Sequence, residues 1–277
     1  NSGGRTIMKE FVLQVLDDPN EKVAGVAVSA SRDADGKTTV KNVALNGEDT
    51  NRGSALLHVN SEAISSESNK QSEAKGLRVD LTARYYGSDE LQRLVDAVKA
   101  GGGQYLQLRL SSDDSYALES ELLGQSTATA RRQRDGSYEN SQGQKFYSRD
   151  QLGALANYAR SHNVEVIAEV DFPGQARAVY ELLKAKDPSQ AARLFQRNGQ
   201  PADVAAAGEF AREIYGEVLK TFPDARHFHM GGGEFAGQRE NNAAFLRFVN
   251  ENGQFLKGRG LQPQLWNDGV YRDSLKS

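Results

Sequence analysis

After residue 75 the chain settles into a repeat that few folds can accommodate: a short strand-like run, a helical run, then the same again. "GLRVDLTARYY" (76–86) reads as a strand. "SDELQRLVDAVKAGGG" reads as a helix with Ser88 as N-cap, Asp89 and Glu90 in the first turn, and Leu91, Leu94, Val95 and Val98 on one face. Three glycines stop it. "QYLQLRL" (104–110) is the second strand, and a long polar excursion over 111–147 leads to the helix "SRDQLGALANYARSH". The third strand, "VEVIAEVDF" (164–172), precedes the helical "ARAVYELLKAK" and a helix over about 203–220 with Phe210, Ile214 and Val218 on one face. "HFHMG" is the fourth strand, a helix carrying Phe245, Phe248, Val249 and Leu256 follows, and "QPQLWND" is the fifth. Strands joined through helices run parallel, so the pattern predicts a parallel sheet clad in helices.

The first 74 residues have a different rhythm. "EFVLQVL" (10–16), "KVAGVAVSAS" (22–31), "KTTVKNVAL" (37–45) and "SALLHVN" (54–60) are β-like, and the turn clusters "DDPNE" and "DADGK" separate them as a small antiparallel sheet requires. "SEAISSESNKQSEAKG" then reads as a surface loop or linker. The expected division is a β-rich segment with its linker over 1–74 and a β/α region over 75–277.

Composition narrows the function. A net charge of -3 with both signs interspersed gives no nucleic-acid footprint and no basic membrane-binding face. No apolar run approaches the ~18 residues of a membrane helix. With no cysteine the chain has no disulfide, thiolate metal site or cysteine nucleophile, and its four histidines lack metal-ligand spacing. It opens at Asn1 with neither methionine nor signal peptide, which suggests a processed chain.

Each predicted strand finishes in charged or hydrogen-bonding residues: Asp80 and Arg84, Asp113 and Asp114, Glu169 and Asp171, Glu234, then Trp266, Asn267 and Asp268. In a β/α barrel those ends converge on one face, where the active site lies. A carboxylate-lined pocket with one aromatic suits a sugar, whose hydroxyls need acceptors and whose ring faces need apolar contact. "HFHMGGGEF" (227–235) leaves two readings open for Glu234: a solvated acid after a tight turn, or an active-site carboxylate on backbone cleared for a ligand. His229, beside those glycines, is either a packed, hydrogen-bonded residue or a ligand contact.

These residues carry a resemblance. "VIAEVDFPG" is similar to the glycoside hydrolase family 20 pattern E-(I/L)-D-x-P-(G/N)-H, "FHMGGGEF" to its F-H-I-G-G-D-E, and "LWNDG" to its W-x-D strand end, within about residues 75–272. The resemblance implies a (β/α)8 TIM-barrel-type catalytic region, here ending after about five strands, preceded by the β-rich segment. It implies hydrolysis of β-linked N-acetylglucosamine oligosaccharides or polysaccharides, the biofilm polymer poly-β-1,6-N-acetylglucosamine among them. No metal or organic cofactor is implied, and the location is secreted or at a bacterial cell surface. In this family the substrate's own 2-acetamido oxygen attacks the anomeric carbon, an exception to the two-carboxylate scheme.

By the match Glu234 is the general acid/base. Arg84 would hold sugar hydroxyls by paired hydrogen bonds. Trp266 would form an aromatic wall, and Asp80, Asp113, Glu169, Asp171, His229 and Asp268 would line the substrate site. The chain departs from the pattern where it matters: Gly233 stands in place of the acetamido-orienting Asp, Arg109 in place of a histidine, Ser112 of an aspartate, Gln175 of a histidine and Ala168 of a proline. The usual D-x-x-R has become Asp80-x-x-x-Arg84, a spacing that keeps both side chains on one strand face if the strand continues. Three readings follow: an active or weakened N-acetylglucosaminidase, a non-catalytic sugar-binding relative, or a structural module.

Overall fold

A computed structural model describes residues 75–232 and 242–266, together with the backbone of strands at 7–8, 27–32, 38–45 and 48–49. Those strands, β1 (Ile7–Met8), β2 (Ala27–Arg32), β3 (Thr38–Leu45) and β4 (Glu48–Asp49), form an antiparallel sheet in chain order. The β3 boundaries match the alternation of "KTTVKNVAL" closely. The strands expected over 10–16 and 54–60 lie outside the described residues.

From residue 76 the elements alternate. β5 (Gly76–Asp80) leads to α1 (Ser88–Ala100) and β6 (Tyr105–Arg109). The excursion after β6 holds a small antiparallel sheet of β7 (Arg131–Arg132), β8 (Tyr138–Glu139) and β9 (Lys145–Phe146). Then come α2 (Arg149–Ser161), β10 (Glu165–Glu169), α3 (Arg177–Lys186), α4 (Pro188–Leu194) and α5 (Val204–Thr221). β11 (His227–His229), α6 (Asn242–Gly258) and β12 (Gln262–Gln264) complete the series. The five later strands form one parallel sheet in the order β12-β11-β10-β6-β5. This is the parallel sheet with helices that the strand–helix repeat predicts, five strands of the β/α-barrel type that the family resemblance implies.

Register divides the sheet into two chemistries. Val79, Leu108, Ala168, Phe228 and Pro263 lie side by side on one face and are all buried. Val79, Leu108, Ala168 and Phe228 belong to the same core as Leu91 and Val95 of α1, Leu152 and Leu155 of α2, Phe210, Ile214 and Val218 of α5, and Phe245, Phe248 and Val249 of α6. One residue further along each strand, Asp80, Arg109, Glu169, His229 and Gln264 form a second row on the opposite face. The polar row stands at the carboxyl ends of all five strands.

Two local expectations are corrected. The first strand stops at Asp80 rather than running to 86, because the Asp80 carboxylate accepts hydrogen bonds from the Thr82 backbone N–H (2.9 Å) and hydroxyl (2.6 Å). That Asx-type turn ends the extended conformation. Ser88 is the first residue of α1 rather than its cap; Gly87 occupies the cap and Glu90 accepts its N–H at 3.4 Å. α2 carries a reciprocal cap, with Ser148 Oγ accepting from Gln151 N–H and the Gln151 side chain accepting from Ser148 N–H.

The polar excursion is anchored by a buried acid on α5. Glu217 accepts hydrogen bonds from the Ser120 hydroxyl and from the backbone N–H groups of Glu121 (3.0 Å) and Leu122 (3.1 Å), and Arg149 pairs with it at 3.4 Å.

Candidate active site

Glu169 ends β10 with its side chain fully buried, and four donors converge on its carboxylate. Arg78 forks onto it, Nε to Oε2 at 2.7 Å and Nη2 to Oε1 at 2.8 Å; Gln107 Nε2 donates to Oε2 at 2.8 Å and the Trp266 indole Nε1 to Oε1 at 3.0 Å. Burial alone would raise its pKa, but the Arg78 hydrogen bonds and charge, with Gln107, outweigh it and hold the carboxyl at about 2. Glu169 is therefore a fixed anion that has spent its lone pairs on orienting neighbours.

Asp171 lies two residues on, equally secluded, and faces a different set. Its Oδ1 accepts the Gly232 backbone N–H at 3.1 Å, and Arg109 pairs with Oδ2 at 3.4 Å. The same guanidinium binds Asp80 Oδ2 at 3.0 Å, so Arg109 bridges the ends of β5 and β10. Desolvation dominates here: despite the Gly232 and Arg109 contacts, the Asp171 carboxyl is pushed up to about 7. Two acids two residues apart are thus driven to opposite ends of the carboxylate range by their surroundings, the arrangement that separates proton-holding from charge-holding roles.

The glycines after β11 have a packing reason. Gly231 (φ +69°) lies so close to Asp171 that a Cβ would come within 2.5 Å of its Cα. At Gly232 (φ +86°) a Cβ would meet Leu265 at 2.3 Å. At these two positions the space a side chain would fill is taken by Asp171 and Leu265, so packing alone already requires glycine there. His229 is fully buried: its Nδ1 accepts the Gly231 N–H at 3.0 Å, and its ring lies 4.5 Å from that of Trp266. Trp266 is half-buried, and its backbone N–H donates to the Gly231 carbonyl.

Asp80, Glu169, Asp171, His229 and Trp266 therefore meet in one connected cluster. Arg84 does not join it. The Asp80 turn carries Arg84 off the strand, its side chain is 56% exposed, and it pairs with Glu90 at 2.9 Å above the Tyr86 ring. Asp113 serves the chain locally, its Oδ1 accepting the N–H of Arg177, first residue of α3, at 3.0 Å. Gly233, Glu234 and Asp268 lie outside the described residues. Arg78 and Gln107 were not anticipated. Their signal was the alternation of "LRVDL" and "QYLQLRL", in which every second residue is polar and must share the face of Asp80 and Arg109.

Comparison with known proteins places the fold and the family. Dispersin B, a solved structure, is 30% identical and superposes with a TM-score of 0.70 over 74% of this chain and 61% of its own. Beta-hexosaminidase B of Pseudoalteromonas piscicida is 22% identical over 252 residues, 71% of this chain and 33% of that protein. A beta-hexosaminidase of Akkermansia muciniphila is 21% identical over 71% of this chain and 45% of its own length. The chain thus spans less than half the length of either curated relative. The catalytic-domain profile of glycosyl hydrolase family 20 matches residues 73–274, most of the sequence, and the chain belongs to that family.

Proposed function

We propose that this chain is a β-N-acetylhexosaminidase-type glycosidase acting on β-linked N-acetylglucosamine. The observation that carries the reading is the convergence of Asp80, Glu169, Asp171 and Trp266 at the carboxyl ends of the parallel strands, within the stretch that matches the family's catalytic domain. The likeness to Dispersin B at 30% identity supports poly-β-1,6-N-acetylglucosamine of biofilms as the substrate to try first, and with it an extracellular location. Among the described residues no helix is long and apolar enough to cross a membrane. The same reading keeps the proposed division near residue 75, with the antiparallel β segment ahead of the catalytic region.

In the proposed reaction Glu234 protonates the glycosidic oxygen while the substrate's acetamido oxygen closes onto the anomeric carbon. Water then opens the resulting oxazoline, and Glu234 takes back a proton. Trp266 supplies the aromatic wall, and Asp268 with Asp80 offers acceptors to sugar hydroxyls. Position 233 offers no carboxylate to orient the acetamido group, a loss of about a hundredfold or more in rate by analogy with other charge-stabilising contacts. That departure favours a second reading, a binding protein for the same polymer that has lost turnover.

Release of chromophore from an aryl β-N-acetylglucosaminide by the parent and by Gly233→Asp tests both. The expected result is slow turnover in the parent and at least a tenfold gain in the variant. Binding of the sugar without turnover in either form would establish the second reading instead.

A further inference from the structure

We propose that Arg78 is a positioning residue: with Glu169 it holds the Trp266 indole at a fixed orientation as the platform for a sugar ring. The inference rests on the carbohydrate reading for its purpose, while the lock itself is a property of the free protein.

The geometry runs through one carboxylate. Arg78 spends two of its five N–H donors on the two oxygens of Glu169, and Trp266 Nε1–H reaches one of the same oxygens. Gln107 fixes the other oxygen, so the carboxylate cannot turn to release the indole. The Arg78 guanidinium carbon also stands 5.3 Å from the Trp266 ring centroid, within cation–π range, and the indole contacts the His229 ring. A half-buried indole held at its N–H by a carboxylate, and flanked by a cation, has lost the freedom to rotate about its side-chain bonds.

Sequence position explains why Arg78 does this and Arg84 does not. Arg78 sits two residues before Asp80 on the same face of β5, level with Gln107, and reaches along the sheet to Glu169 at the next level. Its side chain remains 38% exposed. Burying the Glu169 charge requires a bidentate partner, and removal of that partner leaves an anion that draws in water or moves. Either response frees the indole.

The chain's one tryptophan makes the lock directly observable. Fluorescence anisotropy and acrylamide quenching of Trp266 would be measured in the full chain, in Arg78→Met, which keeps a long apolar stem, and in Arg78→Lys, which keeps the charge without the fork. The expected result is lower anisotropy and severalfold stronger quenching in Arg78→Met, with partial recovery in Arg78→Lys. N-acetylglucosamine titrated against the same emission should bind about tenfold more weakly to Arg78→Met. On the aryl glycoside KM should rise while kcat stays close to the parent value. Unchanged anisotropy and quenching in both variants would overturn the proposal. Altered emission with no sugar binding even in the parent would uphold the lock and sink the carbohydrate reading. Should Arg78→Met fail to fold, Arg78→Lys against the parent carries the same comparison.

Discussion

Gly231 shows how much one hydrogen atom can decide. Alanine there would have to adopt φ +69° and place a methyl group 2.5 Å from Asp171 Cα, a backbone neighbour that cannot swing aside. Gly231→Ala should therefore cost about 3 kcal/mol or more, seen as a lowered urea midpoint with unchanged slope. Gly232→Ala should cost less, because the atom it meets is the tip of Leu265. At this scale the sequence is legible in part. The glycine run marks a place where side chains are forbidden, but whether a ligand or a neighbouring strand forbids them depends on a packing partner 60 residues away. Arg84 failed for a related reason: the Asp80 carboxylate competes for the backbone of Thr82, and a spacing rule that assumes a continuing strand has no way to include that competition.

At the level of elements, strands and helices follow from periodicity because their faces see uniformly apolar or polar surroundings. "QYLQLRL" alternates from Tyr105 onward, and β6 is found within one residue of either end of it. What periodicity misses is the anchoring of irregular chain. The excursion after β6 reads as polar loop, yet Glu217 reaches it from the flank of α5 and satisfies two of its backbone N–H groups. Glu217→Ala would leave the buried Ser120 hydroxyl, those part-buried donors and the Arg149 charge without their shared acceptor, so a loss of about 2 kcal/mol is expected. Proteolysis should then begin within 119–123 at protease levels that leave the parent intact. Sugar affinity should be unaffected, since Glu217 contacts none of the cluster residues.

For the whole molecule, the opposed carboxyls shape stability against pH. Glu169 has a folded pKa of about 2, below its ordinary 4.5, so between those values unfolding takes up a proton and stability falls as pH falls. Asp171 has a folded pKa of about 7, above its ordinary 3.8, so across that interval unfolding releases a proton and stability falls as pH rises. His227, raised by its hydrogen bond to Glu165, adds to the decline above its ordinary 6.5. Thermal melts should peak near pH 4 to 5 and decline toward neutrality, and Asp171→Asn should flatten the decline between about 4 and 7.

The row of Asp80, Arg109, Glu169, His229 and Gln264 has a consequence for how the chain finds its fold. Parallel strands of five residues or fewer hold each other weakly, and a slip by one position would cost few backbone hydrogen bonds. Here such a slip would drive Glu169 under the helices among Leu108 and Phe228 and bring Ala168 to face Arg109. An anion stripped of water and partners in an apolar layer is far more costly than the bonds gained. The charged and polar residues of this row thus also proofread the alignment of the sheet, and a variant that made the row apolar to gain stability would remove the penalty that excludes misaligned sheets.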